Sequence, residues 1–188
     1  MTTAKPGHSS DAVDVIIAQW QRQRPDIDVA ALAVFGRLHR AYLHYAAQIG
    51  ENFEKYGINA AAFDVLAALR RAGAPYRRTA GDLANTGLIT TGGLTLRLDR
   101  LESAGLITRE RDTADRRVIY AQLTDAGLDV IDRLAKEHFA RELQMLAGFS
   151  EAERRQLARL LRKLDHLLEQ EADQHARESG HQPDAMAT

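Results

Sequence analysis

Apolar residues recur at helical spacing along most of the chain and at strand spacing in one short stretch. Val13, Ile16, Ile17 and Trp20 predict a short amphipathic helix over residues 11–24, which Pro25 stops. Leu32, Phe35, Leu38, Tyr42, Ile49 and Phe53 mark the expected buried side of a long helix over residues 29–56, with Gly57 as its C-cap. Asn59 has the chemistry to open a helix over residues 60–71, with Phe63, Leu66, Ala67 and Leu69 turned inward. Gly73-Ala74-Pro75 breaks it, and Thr79 with Asp82 has capping-box spacing for a brief helix through Asn85. After the Thr86-Gly87 turn, Thr90 or Thr91 is placed to cap a helix reaching residue 104. In it Leu94, Leu98 and Leu101 fall at i, i+4 and i+7, and Gly105 ends it.

The period then changes. Residues 106–109 and 118–123 are short β-type runs flanking the polar segment 112–117, a pattern that predicts a two-stranded hairpin. Thr124 begins a long helix to about residue 146. Ser150 and Glu153 form a second capping box, opening a helix with Leu157, Leu160, Leu161, Leu164, Leu167 and Leu168 in one stripe. The fold class expected is mainly α with a small β-hairpin: a helix-turn-helix followed by a wing over residues 58–123, framed by long helices over 26–57 and 124–175. An additional N-terminal helix occupies 11–25, and the polar segments 1–10 and 176–188 read as disordered tails.

Composition narrows the function. The chain has 188 residues, 45% of them hydrophobic, and no cysteine, which excludes disulfides, thiolate metal sites and thiol redox sensing. The first ten residues lack the apolar stretch of a secretory signal, and no apolar run approaches the roughly 18 residues of a membrane span. A cytoplasmic protein without membrane association is the expectation. The seven histidines lack metal-ligand spacing; His39 and His44, five apart, splay around a helix. Gly92-Gly93 is not followed by the Lys-Ser/Thr of a phosphate-cradling loop, and no nucleophile sits in a recognisable elbow. No enzymatic chemistry, metal or cofactor is expected. Net charge is −1, yet residues 70–117 carry ten arginines against six acids. Such a distribution fits either one basic face or a solvated, salt-bridged surface.

Helix, turn, helix and hairpin within about sixty residues is the arrangement that lays a second helix in a DNA major groove. The residues at its start, Thr90, Thr91, Gly92, Gly93 and Thr95, offer hydroxyls for base edges or phosphates and glycines for close approach. Arg97 and Arg100 follow on the same helix. Arg116 and Arg117 at the hairpin tip could enter a minor groove or grip phosphates. Asp115 does not add phosphate affinity, and is read as a buttress pairing with Arg109 or Arg111.

Residues 111–117, Arg-Asp-Thr-Ala-Asp-Arg-Arg, followed by a strand and Leu123-Thr124-Asp125-Ala126-Gly127, resemble the wing and exit of the MarR family of bacterial regulators. Residues 98–107 resemble the end of its recognition helix. The resemblance covers about residues 29–170. It implies a homodimer whose first and last helices interlock on a pseudo-palindromic double-stranded operator, more often as repressor than activator. The added N-terminal helix resembles the family's urate-responsive subgroup. That likeness implies ligand contacts from Trp20, Asp64, Arg97 and Arg109, and a urate or related purine effector. The chemistry is coherent: an aromatic ring covers a flat purine, arginines pair with its anionic edge, and a carboxylate accepts ring N–H bonds. The same residues also fit plain packing for Trp20 and a solvent-facing or ion-paired Asp64. Another aromatic acid or a purine nucleotide remains as effector, and a helical protein-interaction module without DNA binding as the alternative of a different class.

Overall fold

The structure, a computed structural model, describes residues 10–85 and 93–179. The chain divides into two units, residues 1–138 and 139–188. The first opens with α1 (Ala12–Gln23) and α2 (Leu32–Glu54). Asp11 caps α1, accepting from the Val13 and Asp14 backbone N–H groups, while the Asp14 carboxylate accepts from the Asp11 N–H. Val13, 1% exposed, lies on Gly36 of α2 so closely that a Cβ there would come within 3.0 Å of it. Arg37 completes the attachment, donating to Asp11 at 2.9 Å and Asp14 at 2.6 Å.

The next elements are α3 (Ala60–Arg71), β1 (Arg77–Thr79), α4 (Ala80–Ala84), α5 (Leu94–Ser103), β2 (Ile107–Arg111), β3 (Ile119–Leu123) and α6 (Asp125–Met145). Asn59 and Thr79 cap α3 and α4 as their spacing predicts, each accepting a backbone N–H at 2.9 Å. The core gathers α3 residues Val65, Leu66 and Leu69 with Leu83, Leu98, Leu101, Ile107, Ile131 and Leu134. Each is an apolar position on the inward face of its element, so burial supplies the main driving force.

The fold departs from the sequence pattern in three places. The sheet has three strands, in antiparallel order β1-β3-β2, rather than two. The Arg-Arg-Thr of β1 carries no apolar alternation, so nothing in its pattern distinguishes it from a turn. Next, Leu38 and Tyr42, expected on the buried side of α2, are 38% and 63% exposed. That face is covered at its C-terminal end, where Phe53 packs on Phe63 and His138. Finally, α5 starts at Leu94 behind Gly93, whose φ is +80° and which makes no side-chain cap. The cap expected from Thr90 or Thr91 falls outside the described residues.

The second unit contains α7 (Glu151–Ser179). Its first turn is closed by the reciprocal Ser150–Glu153 bonds that the sequence anticipates. The helix continues to Ser179, into the segment expected as a tail. Its leucine stripe is open: Leu157, Leu160, Leu161, Leu167 and Leu168 are 37–52% exposed. Among the described residues no helix is long and apolar enough to cross a membrane.

Candidate nucleic-acid and effector site

The end of α5 shows how local sequence builds this region. Gly105 takes φ +71°, and its N–H donates to the Glu102 carbonyl at 2.9 Å while that of Leu106 donates to the Leu101 carbonyl at 3.0 Å. This is a Schellman closure, which a residue without a Cβ adopts at little cost. It turns the chain back along α5, so that Arg109 on β2 meets Asp99 and Glu102, three residues apart on one helix face. Arg109 pairs with Asp99 at 2.7 Å and with Glu102 at 2.6 Å, and its backbone N–H donates to Glu102 at 3.2 Å. These bonds hold the Glu102 carboxyl below its ordinary value, the Arg109 side chain being the largest cause.

The same turn positions α6. Thr124 donates its hydroxyl to the Gly105 carbonyl at 2.7 Å and its N–H to the Leu106 carbonyl at 3.1 Å. Gly127 then passes so near that a Cβ would stand 1.9 Å from the Leu106 oxygen. The segment 123–127 is therefore a docking joint between wing and helix.

At the hairpin tip the Asp112 N–H donates to the Val118 carbonyl, and the Asp112 carboxylate accepts from the Ala114 and Asp115 N–H groups at 2.8 and 2.9 Å. Asp115 does not buttress Arg109, whose guanidinium is taken by Asp99 and Glu102. It accepts instead from the Arg117 N–H at 3.0 Å, with the Arg117 guanidinium 3.7 Å away. Asp115 therefore braces its own turn. Arg116 is exposed and the Arg117 side chain is 95% exposed. Arg111 ends β2, facing Ile119 across the ladder. On α5, Gly93, Thr95 and Arg100 are exposed and Arg97 is half-buried; Thr90, Thr91 and Gly92 lie outside the described residues.

The four expected ligand residues are only partly assembled. Asp64, half-buried on α3, has its carboxyl pushed above the ordinary value by burial, against the opposing pull of Arg71, Arg97 and His138. Asp64 and Arg97 therefore share one electrostatic neighbourhood. Arg97 also lines a cleft of about 410 Å³ with Glu54, Ile58, Ala62, Arg100 and Leu101. Arg109 lines a different hollow with Glu102, Glu110 and Arg111. Trp20, 46% exposed, lines a third with Gln19 and Gln23. Sequence reasoning missed Asp99 and Glu102, whose signal is an i, i+3 acid pair ending seven residues before an arginine, across a glycine turn. It also missed Arg77, which is carried on the unforeseen strand.

A sequence model of the MarR family matches residues 56–118, spanning α3 through the wing tip. The HTH-type transcriptional regulator PecS of Dickeya dadantii is 41% identical over 157 residues, covering 83% of this chain and 95% of that protein. The chain belongs to the MarR family. Among solved structures, Bordetella bronchiseptica BpsR, whose DNA binding is regulated by 6-hydroxynicotinic acid, superposes with a TM-score of 0.63 at 27% identity, over 71% of this chain and 98% of that one. A mutant MarR of E. coli complexed with operator DNA gives 0.63 at 27% identity, over 73% and 99%. As a MarR-family protein this chain is a ligand-responsive, DNA-binding transcriptional regulator with a winged-helix fold, and its relatives are named as transcriptional regulators.

Proposed function

We propose that the protein is a homodimeric repressor, released from a pseudo-palindromic operator by urate or a related purine. Asp64 carries this reading: a half-buried carboxylate flanked on α3 by Phe63 and Val65, with arginines close by, offers an acceptor for ring N–H groups beside cations for an anionic edge. The added helix α1, which carries Trp20, supports the purine assignment through its resemblance to the family's urate-responsive subgroup. Arg116 and Arg117 reach phosphates from the wing, while Thr95 and Arg100 face the major groove. Dimerisation is supported by two open apolar faces, one on α1 and α2 and one on α7. Burying such faces between two copies removes apolar surface from water in each.

A second effector class, a small aromatic acid, is favoured by the cleft of about 410 Å³ that Arg97 and Arg100 line together with Ile58, Ala62 and Leu101, and by the regulation of BpsR's DNA binding by 6-hydroxynicotinic acid. Calorimetric titration with urate, xanthine and salicylate distinguishes the two. Urate heat that disappears in Asp64→Ala supports the purine site. Salicylate heat alone, unaffected by that change, replaces it with the aromatic-acid reading.

A further inference from the structure

The outer face of the small sheet carries a chain of interactions that the wing arginines do not explain. By strand alternation Arg77 on β1, Glu110 on β2 and Tyr120 on β3 share that face, with Glu110 directly opposite Tyr120. The Arg77 guanidinium carbon lies 3.8 Å from the Tyr120 ring centroid, well within cation–π range. One of its nitrogens reaches Glu110 at 3.2 Å, while Nε is buried without a hydrogen-bond partner. One arginine thus ties all three strands together.

The chain of interactions continues to the tip. The Asp112 carboxyl is held below its ordinary value, first by the N–H groups of Asp115 and Ala114, with smaller contributions from the Tyr120 hydroxyl and the Arg77 charge. Asp112 in turn fixes the turn that carries Arg116 and Arg117. Arg77 sits at the far end of this relay, on the edge strand beside the helix-turn-helix.

We propose that Arg77 is a positioning residue for the wing: stacked on Tyr120 and paired with Glu110, it sets the direction in which the tip presents Arg116 and Arg117 to DNA. The proposal rests on the reading that those two arginines grip phosphates. Arginine is required because its planar guanidinium stacks and pairs at once; a lysine ammonium keeps the charge but not the fork. Tyr120 serves as the platform, and its removal changes no charge.

The test is operator affinity measured against salt concentration, whose logarithmic slope falls by about one for each phosphate the protein no longer neutralises. Arg77→Lys and Tyr120→Leu are each compared with the parent protein and with a double variant, Arg116→Ala with Arg117→Ala. Melting curves are recorded alongside; because Arg77→Lys is conservative on a partly exposed surface, it stands if Tyr120→Leu does not fold. The expected result is a slope lowered by about one per wing in both variants. Adding Arg77→Lys to the Arg116/Arg117 double variant lowers it no further, because the wing no longer grips phosphate there. An unchanged slope in Arg77→Lys overturns the proposal. So does a further drop in the Arg116/Arg117 background, which makes Arg77 an independent phosphate-binding residue. If the double variant itself keeps the parental slope, the wing-phosphate reading fails and the positioning role fails with it.

Discussion

Arg109 of the wing donates through both Nε and Nη2 to a single carboxylate oxygen of Glu102 on the recognition helix, at 2.9 and 2.6 Å. Its remaining terminal nitrogen is taken by Asp99. An effector that uses Arg109 must therefore displace carboxylates from it, so acids and ligand compete for one guanidinium. Asp99→Asn is expected to lower the urate concentration that half-releases operator DNA, because one competitor is gone. A midpoint that rises instead removes Arg109 from the ligand site.

The same pair sets a pH dependence. Glu102 titrates below its ordinary value in the fold, so its stabilising contribution is present above about pH 4.5 and is lost as pH falls through the depressed value. Glu102→Gln should thus melt below the parent protein at pH 7, and the gap should close on acidification toward pH 3. Melting curves across that range check it; a gap independent of pH contradicts it.

Asp64 has the opposite sign. Burial raises its pKa, so the fold favours the neutral acid; the related stability is present below the ordinary value of 3.8 and is lost as pH rises through the raised one. Asp64→Asn is expected to raise the melting temperature at pH 7, with the gain fading at low pH, while weakening the urate response. A variant less stable than the parent at neutral pH would mean that the nearby arginines outweigh burial.

Gly127 tests the joint between wing and α6. A Cβ there meets the Leu106 carbonyl oxygen at 1.9 Å, a clash with backbone rather than with a flexible side-chain end. Gly127→Ala should cost about 1–3 kcal/mol, in the range for overpacking, and lower the melting temperature by several degrees. An unchanged melting temperature refutes the close approach.

The open face of α2 predicts assembly. Leu38→Glu places a charge among Phe35, Tyr42 and their neighbours, where a second copy is proposed to dock. Sedimentation at micromolar concentration should show two chains per particle for the parent and one for the variant, with operator affinity reduced at least tenfold. A parent that sediments as a single chain rules out the dimer.

How much of the fold is legible in the sequence follows the range over which each signal acts. Caps at Asn59, Thr79 and Ser150 and the turns at Gly57 and Gly105 involve residues within five positions, so they can be read directly. The leucines of α5 can be read for the same reason, since helical periodicity is local. β1 cannot, because three polar residues become a strand only by pairing with β3. Spacing points Asp115 at the wrong partner, because tip geometry decides between neighbours that spacing leaves equivalent. The exposure of Leu38 and Tyr42 shows the other limit: an apolar stripe announces burial without naming what covers it. Among the residues expected to hold a ligand, Asp64 and Arg97 share an electrostatic neighbourhood, whereas Arg109 is held by acids whose pairing depends on the fold.

The purine-release mechanism is tested most directly by fluorescence anisotropy of labelled operator DNA bound by the protein, titrated with urate, for the parent and for Asp64→Ala. Urate is expected to release DNA from the parent, whereas Asp64→Ala should bind DNA equally well but stay bound at the same urate concentrations. Release of both proteins alike, or of neither, contradicts the mechanism.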